Sequence, residues 1–250
     1  MRPLLACSVR GPAHIAEGAP CQDAWLGVCE PAARLAVVCD GLGSRPRSRE
    51  GAQVATRAAR AAWRLWRKAP GASAEELVRL LEVLWRLQLS ALSSEGGAPS
   101  PDESATTCLI YAEDGRGRAL MAQLGDGLIA RRGADGRCAR HRVARDLDFN
   151  RTHALGTPHA LSDWSLQLTS ALAPGEALLM ATDGVSEDLD LSQLDEFARW
   201  LLEDVARRPA PAAALARELR AWPVPHHRDD KTLLVTWRPA ADAHLLQGAV

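Results

Sequence analysis

Short apolar runs of strand length punctuate the chain. Leu35 to Cys39, Thr107 to Ala112, Ala119 to Leu124, Leu178 to Ala181 and Leu233 to Trp237 are bounded by Gly, Asp or Pro and are partly β-branched, which predicts the strands of a sheet-rich domain. The stretch around Leu4 to Cys7 adds a first strand, since too few apolar residues precede the cysteine for an export signal. A different periodicity separates the first two runs. Val54, Ala58, Ala61, Ala62 and Leu65 recur at helical spacing opposite Arg57, Arg60, Arg64 and Arg67, and Leu77, Leu81, Leu84 and Trp85 then recur opposite Glu75, Arg79, Glu82 and Arg86. Pro70-Gly71 ends the first of these amphipathic helices and Ser73 with Glu76 caps the second, so the two are predicted to lie antiparallel.

Beyond the helix pair, Ser94 to Ser104 reads as an exposed loop. Glu113 to Gly117 and Ala134 to Arg137 read as hairpin turns, because Asp-Gly tolerates the positive φ that tight hairpins require. Helical patterning returns over roughly Ser192 to Ala206 and Ala212 to Leu219, broken at Pro209-Ala210-Pro211. Strands, helix pair, strands, helices, strand is an order with no parallel crossover and no internal repeat. It predicts an α+β domain with helices segregated onto the faces of antiparallel sheets. The reading assigns residues 1–239 to that domain and 240–250 to a short C-terminal tail.

Composition narrows the classes. In 250 residues, 30 Lys and Arg face 31 Asp and Glu, so no global basic field favours nucleic acid and anion recognition must be local. No run approaches the roughly 18 apolar residues that span a bilayer, and a soluble cytoplasmic protein is expected. The six cysteines include no C-x-x-C pair, and Cys7, Cys29, Cys39 and Cys108 sit in apolar runs. Buried free thiols in a reducing compartment follow.

The candidate chemistry lies where apolar runs end in acid. Asp40 follows Leu35 to Cys39, Asp126 follows Met121 to Gly125, Asp183 follows Leu178 to Thr182, and Asp229-Asp230 precede Lys231 to Val235. Gly41, Gly127 and Gly184 come directly after three of these, which would let backbone approach a ligand closely. If the strand ends share one edge, several carboxylates crowd together and cannot all stay ionised without cations. An all-oxygen cluster suits magnesium or manganese rather than zinc. Two such ions roughly 4 Å apart activate a water and clamp a phosphoryl oxygen, which is phosphatase chemistry.

Seven strings then carry a resemblance: Cys21-Gln22-Asp23-Ala24, Val38-Cys39-Asp40-Gly41-Leu42-Gly43-Ser44, Ala105-Thr106-Thr107, Gln123-Leu124-Gly125-Asp126, His153-Ala154-Leu155-Gly156, Ala181-Thr182-Asp183-Gly184 and Asp229-Asp230-Lys231-Thr232. Their order resembles the motif series of the bacterial metal-dependent protein phosphatases of type 2C. The resemblance implies a four-layer α-β-β-α sandwich of two antiparallel sheets flanked by helix pairs. It also implies hydrolysis of phosphoserine or phosphothreonine by a metal-activated water with two, or with a third weaker site three, manganese or magnesium ions. It gives Asp40 the place between two metals, the Gly41 carbonyl to one, Asp183 and Asp229 to the other, Asp23 a contact through water and Asp126 the third metal. Phosphoproteins made by a bacterial Ser/Thr kinase are the implied partners of a monomer, with substrate choice in a flap at about 146–164.

The chain departs from that pattern in places. Gln22 stands where the family often has Glu, Leu42 where some members carry a histidine, and Gly18 where many carry a phosphate-holding arginine. Candidate substitutes are Arg10, His14, Arg45, Arg47 and Arg49, with Arg10 first, since guanidinium forks match phosphate geometry. His226-His227 is a poor chelate, because neighbours on an extended segment face opposite ways. The arginine stripe reads as a solvated helix face, and Trp63, Trp66 and Trp85 as core. Gly18 and Gln22 prompt a second reading, a phosphoprotein-binding regulatory module with impaired chemistry.

Overall fold

The computed structural model describes residues 3–92, 97–141 and 152–240. The loop expected from Ser94 and the flap at 146–164 therefore lie partly outside the described residues, and the tail does so from 241 onward.

One five-stranded sheet has the order β2-β3-β4-β5-β8, from Ala24–Cys29, Arg34–Cys39, Cys108–Glu113, Arg118–Leu124 and Ser165–Ser170. The other is β1-β10-β9-β6-β7, from Leu4–Val9, Lys231–Trp237, Ala177–Ala181, Leu128–Arg132 and Cys138–Arg140. Every pairing is antiparallel.

Three apolar clusters stack these sheets into four layers. Along β3, Leu35, Val37 and Cys39 face helices α2 (Ser48–Trp66) and α3 (Ala74–Ser90), while Ala36 and Val38 face the other sheet. Along β9, Ala177, Leu179 and Ala181 face α5 (Leu194–Trp200) and α6 (Pro211–Arg220), while Leu178 and Met180 face inward. Strands buried on both faces read as continuous apolar runs rather than alternating ones, and this is why β3, β4, β5, β9 and β10 stand out in the sequence. The α+β sandwich is as expected.

The helix pair follows its sequence signals. Ser73 Oγ accepts from the Glu76 amide at 3.2 Å and the Glu76 carboxylate accepts from the Ser73 amide at 2.5 Å, which is the capping box. Trp63, Trp66 and Trp85 are buried, and their indole N–H groups donate to the carbonyls of Glu113, Ser73 and Gly51. Arg57, Arg60 and Arg64 are exposed on the opposite face. The later helical stretch is not one α-helix: a 3-10 turn at Leu191–Gln193, α5 and a π-helix at Leu201–Val205 precede α6. Two short helices were not legible, α1 (Pro12–Ala16) and α4 (Asp183–Ser186). All six cysteines are free, but Cys29, expected inside, is exposed at the end of β2. Among the described residues no helix is long and apolar enough to cross a membrane.

Candidate metal centre and its cavity

A cavity of about 520 Å³ opens where ends of both sheets meet, and Asp40, Gly41, Asp126, Asp183, Asp229 and Asp230 line it. Asp40 and Gly41 leave β3, Asp126 occupies the turn between β5 and β6, Asp183 begins α4 directly after β9, and Asp229-Asp230 lead into β10. Buried strands surface here, so carboxylates at their ends reach solvent without crossing the core.

The motif residues hold these ends in place. The Asp40 amide donates to Thr107 Oγ1 at 3.0 Å, and its carbonyl accepts from Thr106 Oγ1 and the Thr107 amide, each at 2.8 Å. Thr106 is bridged in turn to Gly41 and to Leu155. Gln123 Nε2 donates to the carbonyls of Gly125 at 3.1 Å and Gly127 at 3.3 Å, bracing the turn that presents Asp126. That turn needs glycine, with φ of +92° at Gly125 and +104° at Gly127. Gly184 serves another purpose than approach to a ligand: a Cβ there would stand 2.1 Å from the Asp230 carbonyl oxygen, so the chain packs against itself. At Gly41 a Cβ would meet the Ser48 carbonyl at 2.8 Å and that of Gln22 at 2.9 Å.

Electrostatically the carboxylates are crowded. Burial, then the charges of Asp23 and Asp183, push Asp40 well above the usual carboxylate range. Burial raises Asp23 to about 7 against the stabilising bonds it accepts, with Asp230 adding to the rise. Asp23 Oδ2 accepts from Thr182 Oγ1 at 3.0 Å, while Oδ1 is buried without a partner. Asp229 and Asp126 are raised by loss of solvent and by the charge of Asp183. Among the described residues no three His, Cys, Asp or Glu side chains form a finished metal cage. The donors are neighbouring hard oxygens, suited to a cation that keeps much of its water.

The predicted phosphate contacts separate. His14 and Arg45 line the cavity. Arg10 is exposed and donates to the Ala19 carbonyl at 3.1 Å, away from the cavity lining, and Arg49 is exposed on the first turn of α2. Arg47 pairs with Glu50 at 2.8 Å. Gly18 sits in an open turn at φ +68°, where a Cβ would meet nothing within 4 Å. His226 and His227 form no cluster, and His227 Nδ1 bonds the Val224 carbonyl. Sequence reasoning missed the tasks of Asp230, Thr106, Thr107 and Gln123. The strings containing them were visible, but their partners lie far along the chain.

The family model described as protein phosphatase 2C matches residues 10–222. Curated proteins give no match. Among solved structures, the chain is similar to the serine/threonine phosphatase PstP/Ppp of Mycobacterium tuberculosis, with 16% identity, a TM-score of 0.62, and 94% of this chain and 98% of that chain covered. It is similar also to the PPM Ser-Thr phosphatase MsPP of Mycobacterium smegmatis in complex with cacodylate, with 21% identity, a TM-score of 0.60, and 94% and 97% covered. A third is the catalytic domain of PstP in complex with 2 manganese ions, with 18% identity, a TM-score of 0.60, and 93% and 96% covered. At these identities the likeness shows the fold.

Proposed function

Because the chain belongs to the protein phosphatase 2C family, we propose that it hydrolyses phosphoserine and phosphothreonine in proteins with the help of divalent metal ions. The observation that carries this reading is the meeting of Asp40, Asp126, Asp183 and Asp229 with Gly41 at one cavity. Carboxylates so crowded resist ionising together unless cations join them, and Asp40, Asp126 and Asp229 are all pushed upward by burial and by neighbouring carboxylates. The unpartnered Asp23 Oδ1 and the all-oxygen donor set agree with magnesium or manganese, and the PstP catalytic domain of similar fold holds 2 manganese ions. The residues therefore fit a metal pair: Asp40 would serve both ions, the Gly41 carbonyl would hold one, Asp183 and Asp229 would hold the other, Asp23 would contribute through water, and Asp126 would serve a third.

Divalent cations held there would neutralise phosphoryl charge and make water acidic enough to attack near neutral pH. The chain supplies position. Thr106 and Thr107 fix the Asp40 backbone and Gln123 fixes the Asp126 turn, so the donors are set before substrate arrives. The substrates we propose are phosphoproteins made by a bacterial Ser/Thr kinase, met by a monomer in the cytoplasm, a compartment in keeping with six free cysteines.

The test is phosphate release from a phosphothreonine peptide with manganese, with and without chelator. Manganese-dependent turnover is the expected result. A protein that binds manganese and turns nothing over would instead be a phosphoprotein-binding module. That second reading rests on Gly18, where no cation stands, and on Gln22, whose Oε1 is buried without a partner.

A further inference from the structure

Among the described residues lining the cavity, His14 and Arg45 are the side chains able to carry positive charge. Arg45 is engaged at one end, its Nη1 2.8 Å from Asp102 Oδ2 in a solvent-exposed pair, while its Nε has no partner among the described residues. His14 is set differently. Its Nδ1 lies 3.0 Å from Asp230 Oδ2, within ion-pair reach but not aligned as a hydrogen bond, and its side chain is only 17% exposed.

Asp230 is itself clamped. The Gly11 amide donates to Oδ1 at 2.7 Å and the Gln22 amide to Oδ2 at 2.6 Å. With both oxygens occupied, Asp230 has a task distinct from that of Asp229 beside it. The Ala13 amide also donates to the Arg228 carbonyl at 3.1 Å, and a Cβ on Gly11 would stand 2.3 Å from the Asp229 carbonyl carbon. The short helix carrying the imidazole is thus keyed to the two-aspartate segment by backbone bonds and by a contact only glycine allows. Nδ1 faces a carboxylate, which leaves Nε2 as the ring's remaining polar edge.

We propose that His14 takes an outer oxygen of the substrate phosphate, donating from Nε2, and that Asp230 is the positioning residue that fixes the ring. This rests on the phosphatase reading and names a phosphate contact within it. A phosphate dianion beside metals keeps outer oxygens to satisfy, and a charge-assisted N–H···O bond is the strong way to do so. His14 thereby fills the role left open at Gly18.

Two measurements on the full, manganese-loaded chain test it: calorimetric binding of inorganic phosphate, and kinetics on a phosphothreonine peptide. His14→Ala should weaken phosphate binding and raise KM roughly tenfold or more, with kcat changed less and manganese affinity within about twofold. His14→Gln gives the same reading if the alanine variant does not fold, and His14→Arg should restore most of the binding. Asp230→Asn, which keeps the shape and one acceptor, should lose less than Asp230→Ala. Unchanged phosphate affinity in a folded His14 variant overturns the proposal, as does a loss confined to Arg45→Ala. If phosphate binds through His14 but no peptide is hydrolysed, the phosphatase reading falls and this contact stands.

Discussion

What a carboxylate does in this cavity depends on what else touches it. Asp229 and Asp230 are adjacent, yet Asp230 gives both oxygens to backbone amides, while Asp229 faces the cavity with its carboxyl pushed up by loss of solvent and by Asp183. Asp40 lies deeper in the same repulsion. Asn at Asp40 or Asp183 keeps the shape and removes the charge. Each substitution should cut manganese-dependent hydrolysis by more than about 100-fold, and the metal-free melting temperature of Asp40→Asn should hold or rise, because burial and neighbouring carboxylates disfavour the charge that is removed. Full activity in either variant would remove the two-metal assignment, and calorimetric manganese titration shows whether the loss is one of binding.

Elements carry the second kind of consequence. Glu82 on α3 accepts from the Trp164 indole at 2.8 Å and faces His159 Nε2 at 3.1 Å, pinning the approach to β8 onto the helix layer. The bond to Glu82 holds His159 above the usual histidine range against the opposing effect of burial. Burial works the other way at Glu82, but its bonds to His159 and Trp164 outweigh it and lower the carboxyl. A raised histidine contributes stability that is complete below its unfolded value of about 6.5 and is lost as pH rises through the folded value. A lowered glutamate contributes above about 4.3 and loses its contribution as pH falls through the folded value. Glu82→Gln should therefore cost about 1 kcal/mol at pH 6 and less at pH 8, as measured by urea unfolding; equal losses would contradict the assignment. The elements also divide by legibility. Strands buried on both faces were readable, and so were the capped helix pair and the acids at strand ends, because burial writes itself into the local sequence. β2, with Trp25 exposed, was not readable, nor were β6, β7 and β8, which carry Arg131, Arg132, Arg140 and Gln167. β2, β7 and β8 are edge strands whose polarity resembles loop, and β6 is a short interior strand that ends in two arginines. The clamp on Asp230 was hidden for another reason: its partners, Gly11 and Gln22, meet it only after the whole chain has folded. Arg10, the favoured phosphate contact, lies next to Gly11, yet its guanidinium turns to the Ala19 carbonyl, a choice of direction that no local pattern encodes.

At the scale of the molecule, the proposed metal donors come from both sheets: Asp40 from the end of β3, Asp183 and Asp229 from the ends of β9 and β10. Metal that binds only the folded chain stabilises it by mass action. Manganese at 100 times its dissociation constant should add about 2.7 kcal/mol, roughly 5 to 10 °C in melting temperature for a chain of this size. A melting temperature indifferent to manganese would count against the site. The Thr182–Asp23 bond, 3.0 Å long, already crosses from one sheet to the other beside those donors. A cation bound among them would act as a rivet through the sandwich, and the apolar layer of Ala6, Ala36, Val38, Leu178 and Leu234 as the gasket whose thickness sets the gap the rivet must span. Thickening that gasket with Ala36→Leu should weaken manganese binding from a residue that touches no ligand, and a variant with lowered stability but unchanged affinity would show that the sheets part without straining the rivet. The sandwich is in this sense a caliper, and its jaw opening is written in small side chains far from the chemistry.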